Sequence, residues 1–205
     1  TEAARGGPLA VSDVTVVTSD LRTRHLNATI SGTISGAAEG IATLADDEPI
    51  NAMKPLGIDP AAVSGQAKVT FWLSGPMENV IDRTLIKWKI QAALQDVSSS
   101  SPIKDHVIKD ATVDINADTT NLTLKGTANI DGLAAKVDLS QPIGPDAAPG
   151  HSGVTVELSE ADRKARGLDY GGLLTGPVGA TMVDNSDGTK SFTIDLKKAS
   201  LTIPG

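Results

Sequence analysis

The residues that could carry out chemistry are few, and their spacing does not bring them together. The chain has no cysteine, and its three histidines, His25, His106 and His151, are too dispersed to indicate a shared metal site. Asp105 and His106 could form an acid–base pair, but no nucleophile lies near them in the sequence. The stretch 150–153 lacks the G-x-S-x-G pattern of a nucleophile elbow. We therefore predict that the chain is not an enzyme and holds no metal or cofactor.

Two acidic patterns have the residue types of a calcium site. Asp110, Asp114 and Asp118 fall on one face of a strand by their spacing, and hard cations bind clustered carboxylates. We interpret this set as a solvated strand face. The stretch 184–188 resembles a calcium loop, but Val183 stands where the first ligand should be. The Asp-Gly pair within it is typical of a hairpin turn.

Composition and charge exclude further classes of function. The 205 residues carry a net charge of −7, which argues against a nucleic-acid partner because no cationic surplus neutralises phosphates. Aromatic residues make up only 2%, too few for base-stacking platforms. Hydrophobic residues reach 40%, yet no run approaches the roughly 18 apolar residues of a membrane span.

Alternating apolar and polar residues dominate the chain, in segments 66–75, 84–97, 111–117, 122–130, 133–139 and 192–203. This period of two places apolar side chains on one strand face, which is typical of an antiparallel sheet. Asp131-Gly132 predicts a hairpin turn between two of these strands, and a shift of the alternation after Leu196 predicts a bulge or bend. We predict a mainly β protein with an antiparallel, curved or extended sheet.

Two short helices are expected beside this sheet. The first is predicted over 46–57, where acidic residues and an early proline precede an apolar stripe and Gly57 ends it. The second is predicted over 159–167, where Ser159 and Asp162 form a capping-box pattern. Helices of two to three turns are stable only when they dock on the sheet.

An internal repeat links the two halves of the chain. Gly57-Ile58-Asp59 leads to Val63-Ser64-Gly65, and Gly167-Leu168-Asp169 leads to Leu174-Thr175-Gly176. Each copy follows a predicted helix and enters a strand. We predict repeat units at about 9–98 and 108–204, a pattern typical of a chain that extends lengthwise.

Four stretches carry a family resemblance: Gly57-Ile58-Asp59-Pro60, Val63-Ser64-Gly65-Gln66-Ala67, Leu158-Ser159-Glu160-Ala161-Asp162-Arg163, and the final Asp195-Leu196-Lys197-Lys198-Ala199-Ser200-Leu201-Thr202-Ile203-Pro204. They resemble the AsmA-like proteins of bacterial cell envelopes, and in particular the DUF3971 region of the YhdP-type members. The resemblance covers about 11–204. Relatives continue beyond the last stretch, so we expect the chain to be an internal segment of a longer repeat protein.

The resemblance implies a periplasmic location, as part of a bacterial protein anchored in the inner membrane through a region absent from this chain. It also implies a long β-groove of the bridge-like lipid-transfer superfamily, with a role in outer membrane biogenesis. The implied function is phospholipid transport between the inner and outer membranes, with phospholipid acyl chains as partners. The family has no catalytic motif.

The alternating strands supply a candidate lining for such a groove: Ala67, Val69, Phe71, Leu73, Ile86, Trp88, Ile90, Leu122, Leu124, Ala128 and Ile130. The same side chains would also suit an ordinary core closed by the two helices. A non-enzymatic envelope scaffold or assembly domain with a self-closed β core is therefore the alternative function. A polysaccharide-binding domain is disfavoured because aromatic residues are scarce.

Overall fold

The computed structural model describes residues 7–18, 26–47, 53–54, 57–77, 85–103, 105–144, 147–169 and 171–202. Within them, ten strands form one antiparallel sheet and two short strands form a separate pair. The ten strands, in spatial order, are β1 Leu9–Thr18, β2 Asn27–Ala37, β3 Val63–Pro76, β4 Lys87–Ser99, β5 Ile108–Asp118, β6 Asn121–Ile130, β7 Leu133–Pro142, β8 His151–Leu158, β10 Val178–Asp184 and β11 Lys190–Asp195. The small pair joins β9 Leu174–Thr175 to β12 Ser200–Leu201.

The large sheet is a meander in which strands that follow one another along the chain lie side by side. This confirms the predicted mainly-β, antiparallel fold with two helices. The sheet is open rather than closed into a barrel, so β1 and β11 are its edge strands. The shift of alternation after Leu196 is also explained, because β11 ends at Asp195 and a turn leads into β12.

The pairing register sorts the side chains of the sheet into two faces. Residues directly opposite one another on paired strands point to the same side. One such row consists of Val69, Ala92, Ile115, Leu124 and Leu139. The adjacent row, on the other side, consists of Thr70, Gln91, Asn116, Thr123 and Ser140. We call the side of Val69 the apolar face and the side of Thr70 the polar face.

Bulges interrupt the ladders near one end of the strands. The register shifts within β1, β3, β4 and β5, and Asp13, Asp96 and Asp110 adopt positive φ angles of 54°, 51° and 50° at three of these shifts. Each bulge adds a residue to one strand, bends it and increases its twist. A row of bulges therefore curves this sheet.

The predicted first helix, over 46–57, falls mostly outside the described residues and stays a prediction, and the sequence analysis missed a helix that precedes it. Helix α1 spans Ala38–Asp46 and ends where the predicted helix was to begin, while 48–52 and 55–56 lie outside the described residues. The N-cap residue Ala37 provides no side-chain hydrogen bond, so the usual sequence signal of a helix start is missing. The helix instead docks Ala38 and Ala42, both buried, beside β2 and β3.

The prediction for the second helix is confirmed. Helix α2 spans Glu160–Ala165, and Ser159 and Asp162 form a reciprocal capping box. At its other end, the amides of Gly167 and Leu168 donate to the carbonyls of Lys164 and Arg163. This is the double hydrogen bond of a Schellman motif, with Gly167 at a φ of 75°.

Replacing Ser159 by alanine is expected to destabilise α2 by about 1 kcal/mol, because the Asp162 amide then loses its hydrogen-bond acceptor. Hydrogen exchange of the α2 amides measures this change, and unchanged protection would contradict it.

Hydrogen bonds from Ser159 also lower the pKa of the Asp162 carboxyl below its ordinary value of 3.8. The contribution of this carboxylate to the stability of the fold is therefore fully present above pH 3.8, and it is lost as the pH falls through the lowered pKa.

The helices lie at one end of the strands and leave most of the apolar face uncovered. This end carries α1, α2 and the Asp131-Gly132 turn, and we call it the helix rim. A hydrogen bond links two of these features, because the guanidinium of Arg166, which follows α2, donates to the Asp131 carbonyl at 3.0 Å. Nine and six helical residues span only about 14 and 9 Å. Ten strands at the usual spacing span about 43 Å, so neither helix extends across the sheet.

The aligned glycines of the internal repeat have similar surroundings. A Cβ atom on Gly65 would lie 2.6 Å from the Asp96 carbonyl oxygen, and one on Gly176 would lie 2.6 Å from the Lys198 carbonyl oxygen. In both cases a second backbone passes too close for a side chain. The boundaries of the repeat units, 9–98 and 108–204, stay a prediction.

Candidate functional site

The eleven residues predicted as a lining all lie on the apolar face. They occur on β3, β4 and β6, with Ile86 just before β4, and the pairing register places them side by side. Ala67 and Ala128 are buried, whereas Leu73 and Ile90 are exposed at 43% and 36% of their surface. The face is therefore continuous and partly open to solvent.

No second layer of structure covers this face in the described part of the chain. The buried hydrophobic residues there are alanines apart from Val113 and Val178, and no large side chain is fully buried. The accessible surface is 13655 Å², whereas a compact monomer of 21.0 kDa exposes about 9,000 Å². A closed β-sandwich would bury large aliphatic side chains between two layers, and this sheet does not.

A cluster of buried side chains lies on the middle strands of the apolar face. Ala111, Val113 and Ala128 form a cluster there, and the residues packed against it come from β4, β5, β6 and β7 of the same sheet. These short side chains are covered by larger aliphatic neighbours on the same face of the sheet, so they are buried without a second layer.

The second half of the sheet gives independent evidence of curvature. Ile130 of β6 and Ile194 of β11 line the same hollow, whose volume is about 290 Å³. Three strands lie between them, so in a flat sheet their backbones would be about 19 Å apart. Their side chains meet one hollow because the sheet curls toward its apolar face.

The sequence prediction missed the part of the apolar face formed by the last strands. The omitted residues are Val154, Val156, Ala180, Met182, Phe192 and Ile194, which are matched across β8, β10 and β11. A signal for them was present, because residues 154–158 alternate in the same way as the strands that were recognised. With them included, the apolar face extends from β1 to β11.

The polar face carries separate ion pairs instead of a single charged patch. Lys125 and Asp138 are paired across β6 and β7 at 3.0 Å, and Lys198 contacts Glu157 at 2.7 Å. The hydrogen bond with Glu157 raises the pKa of Lys198. These groups are solvated, so they keep this side of the sheet in water and contribute little to stability.

The acidic residues considered as calcium ligands have separate structural places, and Asp114 lies within β5 opposite Lys125. Asp118 accepts hydrogen bonds from the amide and hydroxyl of Thr120, which lower its pKa and fix the β5–β6 turn. Asp110 lies at the bulge of β5. Gly188, with a φ of 80°, closes the hairpin between β10 and β11, as its Asp-Gly pair predicted. Among the described residues no group of three metal-ligating side chains is present.

His106 is bonded to Asp131 and not to its sequence neighbour Asp105. The His106 Nδ1 to Asp131 Oδ2 distance is 2.7 Å, and Asp131 Oδ1 accepts from the Val107 amide at 2.9 Å. The hydrogen bond with His106 is the main cause that lowers the pKa of Asp131. The pair ties the loop before β5 to the β6–β7 turn.

Neither of the two helices in the described residues is long and apolar enough to cross a membrane. Comparison of the chain with protein-family models, with curated proteins and with solved structures finds no match in any of the three.

Proposed function

We propose that this chain is one section of a lipid conduit, in which phospholipid acyl chains move along the apolar face between the inner and outer membranes. The observation that carries the proposal is the continuous and uncovered apolar face, which runs across ten strands and curls between β6 and β11. The periplasmic setting and the two membranes come from the resemblance to AsmA-like envelope proteins.

The chemistry of this face suits hydrocarbon. Moving an acyl chain into water costs about 0.8 kcal/mol for each exposed methylene, and contact with aliphatic side chains offsets that cost. The face spans about 43 Å across its strands, whereas one leaflet of a bilayer contributes about 15 Å of hydrocarbon. A lipid tail can therefore lie on it at full length.

The open edges of the sheet fit a role as a section of something longer. Among the described residues β1 and β11 each have one unpaired side, and Val16 on β1 and Ile194 on β11 are both 61% exposed on the apolar face. A further strand added at either edge would extend the same face without a break. A lipid that moves across the sheet from one strand to the next then meets no barrier within the apolar face.

Replacing Leu124 by aspartate is expected to reduce co-purified phospholipid at least fivefold, because a carboxylate in the middle of the face repels hydrocarbon. The measurement is native mass spectrometry of the purified chain, with solvent extraction to quantify lipid per chain. Thr123→Asp is the matched control, since Thr123 is the adjacent residue on the polar face. It is expected to retain the lipid of the unmodified chain.

The alternative of an envelope scaffold predicts a different result. A stable, lipid-free unmodified chain would contradict the conduit proposal, and equal lipid content in Leu124→Asp and Thr123→Asp would contradict it as well. Circular dichroism of both variants shows whether the sheet is intact. The comparison is therefore made between folded proteins.

A further inference from the structure

The outer side of β11 combines exposed apolar side chains with backbone groups that no described strand uses. Within the described residues β11 pairs with β10 alone, and all six of its residues are exposed. Phe192 is exposed at 72%, the highest value among the large hydrophobic side chains of the described residues, and Ile194 is exposed at 61%. This edge therefore offers both hydrogen bonds and apolar surface to a further strand.

The hairpin that precedes β11 determines which of its backbone groups are free. The Asn185 amide donates to the Thr189 carbonyl at 2.9 Å, which makes these two residues a hydrogen-bonded pair. Hydrogen-bonded and non-hydrogen-bonded pairs alternate along an antiparallel ladder. Counted along the register from this pair, Lys190, Phe192 and Ile194 direct their amides and carbonyls away from β10.

The middle of β11 carries no charge or bulge that would keep a second strand away. Residues 191–194 are uncharged, and the register with β10 is unbroken. Lys190 Nζ lies 2.8 Å from Asp184 Oδ1, so its charge is matched within the same chain. The other edge strand differs, because β1 has a register shift between Ser12 and Thr15. Bulges are among the devices that keep edge strands from pairing, so β11 is the more accessible edge.

We propose that two copies of this chain join edge to edge through β11, related by a two-fold axis that passes beside Phe192 and is perpendicular to the sheet. Antiparallel pairing about this axis sets Phe192 opposite its own copy and Lys190 opposite the second copy's Ile194. Every outward-directed residue of β11 then belongs to a hydrogen-bonded pair. Opposed residues point to the same side, so the two Phe192 rings meet on the apolar face.

A second copy fits this edge because the pattern of β11 is complementary to itself. A register shifted by one residue would set apolar side chains opposite polar ones, and a shift by two would leave Lys190 without a partner in β11. The symmetric register also forms an aromatic pair. Rotation about a perpendicular axis keeps both apolar faces on one side of the joined sheet. The inference goes beyond the proposed function, since the pairing does not depend on lipid.

Sedimentation equilibrium of the full chain over a range of concentrations tests the dimer. One strand from each copy forms a small interface, so the mass is expected to rise from 21.0 kDa toward twice that value only by about 500 μM. Phe192→Lys is expected to weaken the dimer at least tenfold, because two ammonium groups would meet at the axis. A mass that stays at 21.0 kDa at the highest concentration would overturn the proposal and leave this edge to a different strand.

Val16→Lys is the matched control, because it adds the same charge on the other edge strand, where Val16 is 61% exposed. It is expected to change the dissociation constant less than twofold. Circular dichroism of both lysine variants measures whether the sheet is intact. Equal weakening by the two substitutions would overturn the assignment of the interface to β11.

The absence of cysteine from the chain allows introduced thiols to report the register. Phe192→Cys is expected to form a disulfide-linked dimer on mild oxidation, because the Cα atoms of a hydrogen-bonded pair lie about 5.5 Å apart. Ile194→Cys is expected to cross-link at least tenfold less, since its two copies would be separated by four residues along the strands, about 13 Å. Equal cross-linking, or none in Phe192→Cys, would overturn the register. Leu124→Asp is expected to dimerise as the unmodified chain does, so this proposal and the proposed function fail separately.

Discussion

Replacing Arg163 by alanine is expected to lower the free energy of unfolding by about 4 kcal/mol, because three partly buried carbonyls lose a charged, buried donor together. Arg163 is only 3% exposed. Its Nη1 donates to the Gly176 carbonyl at 2.5 Å, and its Nη2 donates to the Leu174 carbonyl at 2.9 Å. A third, longer contact of 3.5 Å reaches the Leu158 carbonyl.

These carbonyls explain why one side chain has so large an effect. They belong to the end of β8, to β9 and to the turn that enters β10, so the guanidinium joins α2 to the strands on both sides of it. A buried carbonyl without a donor costs about 1–3 kcal/mol. Loss of Arg163 therefore releases the helix rim at α2.

Two comparison variants separate this explanation from simpler ones. Arg163→Met keeps much of the side-chain volume without the donors, so it is expected to be nearly as destabilised as Arg163→Ala. Lys164→Ala removes the neighbouring, exposed cation and its 3.7 Å contact with Asp169, and is expected to change stability by less than about 0.5 kcal/mol. Hydrogen exchange of the amides of β8 and β10 measures the difference. Equal protection in Arg163→Met and Lys164→Ala would contradict the role of the buried donors.

Gly126→Ala is expected to cost about 3 kcal/mol, or a fall of about 6–12 °C in Tm, through overpacking of two backbones. A Cβ atom at this position would lie 2.7 Å from the Cα atom of Val113 and closer still to the Thr112 carbonyl oxygen. Gly126 is opposite Val113, next to the register shift between Lys109 and Thr112. The close approach is therefore a consequence of the bulge that bends β5.

Gly153→Ala is the control for this prediction. Gly153 also lies within a strand of the sheet, but an added Cβ would have its nearest contact at 3.8 Å, an ordinary packing distance. The Tm of Gly153→Ala is expected to stay within about 2 °C of the Tm of the unmodified chain. Thermal unfolding followed by circular dichroism compares the two variants. Equal Tm values would show that β5 and β6 separate easily, which contradicts a curvature fixed by the bulge.

The alternation of side chains made the strands predictable from local sequence. Segments 66–75, 122–130 and 133–139 match β3, β6 and β7 closely, since period-two patterning acts within each strand. The Asp131-Gly132 hairpin was predictable for the same reason, because both residues adopt the positive φ angles that an Asp-Gly turn requires, 52° and 81°. Helix α1 was not predicted, because its N-cap residue makes no side-chain hydrogen bond and the helix depends on buried Ala38 and Ala42.

The sequence by itself determined which side chains share a face, that the fold is mainly β, and that Ser159 caps α2. It did not determine whether another layer covers the apolar face, because the same aliphatic residues suit a closed core or an open trough. That was decided by tertiary structure: the bulges at Asp13, Asp96 and Asp110 curve one sheet, and the two helices dock at its rim. The pairing of His106 with Asp131, 25 residues away, was likewise decided by how the strands are arranged. Alternation acts between neighbours along the chain, whereas curvature and covering depend on contacts between strands that are distant in sequence.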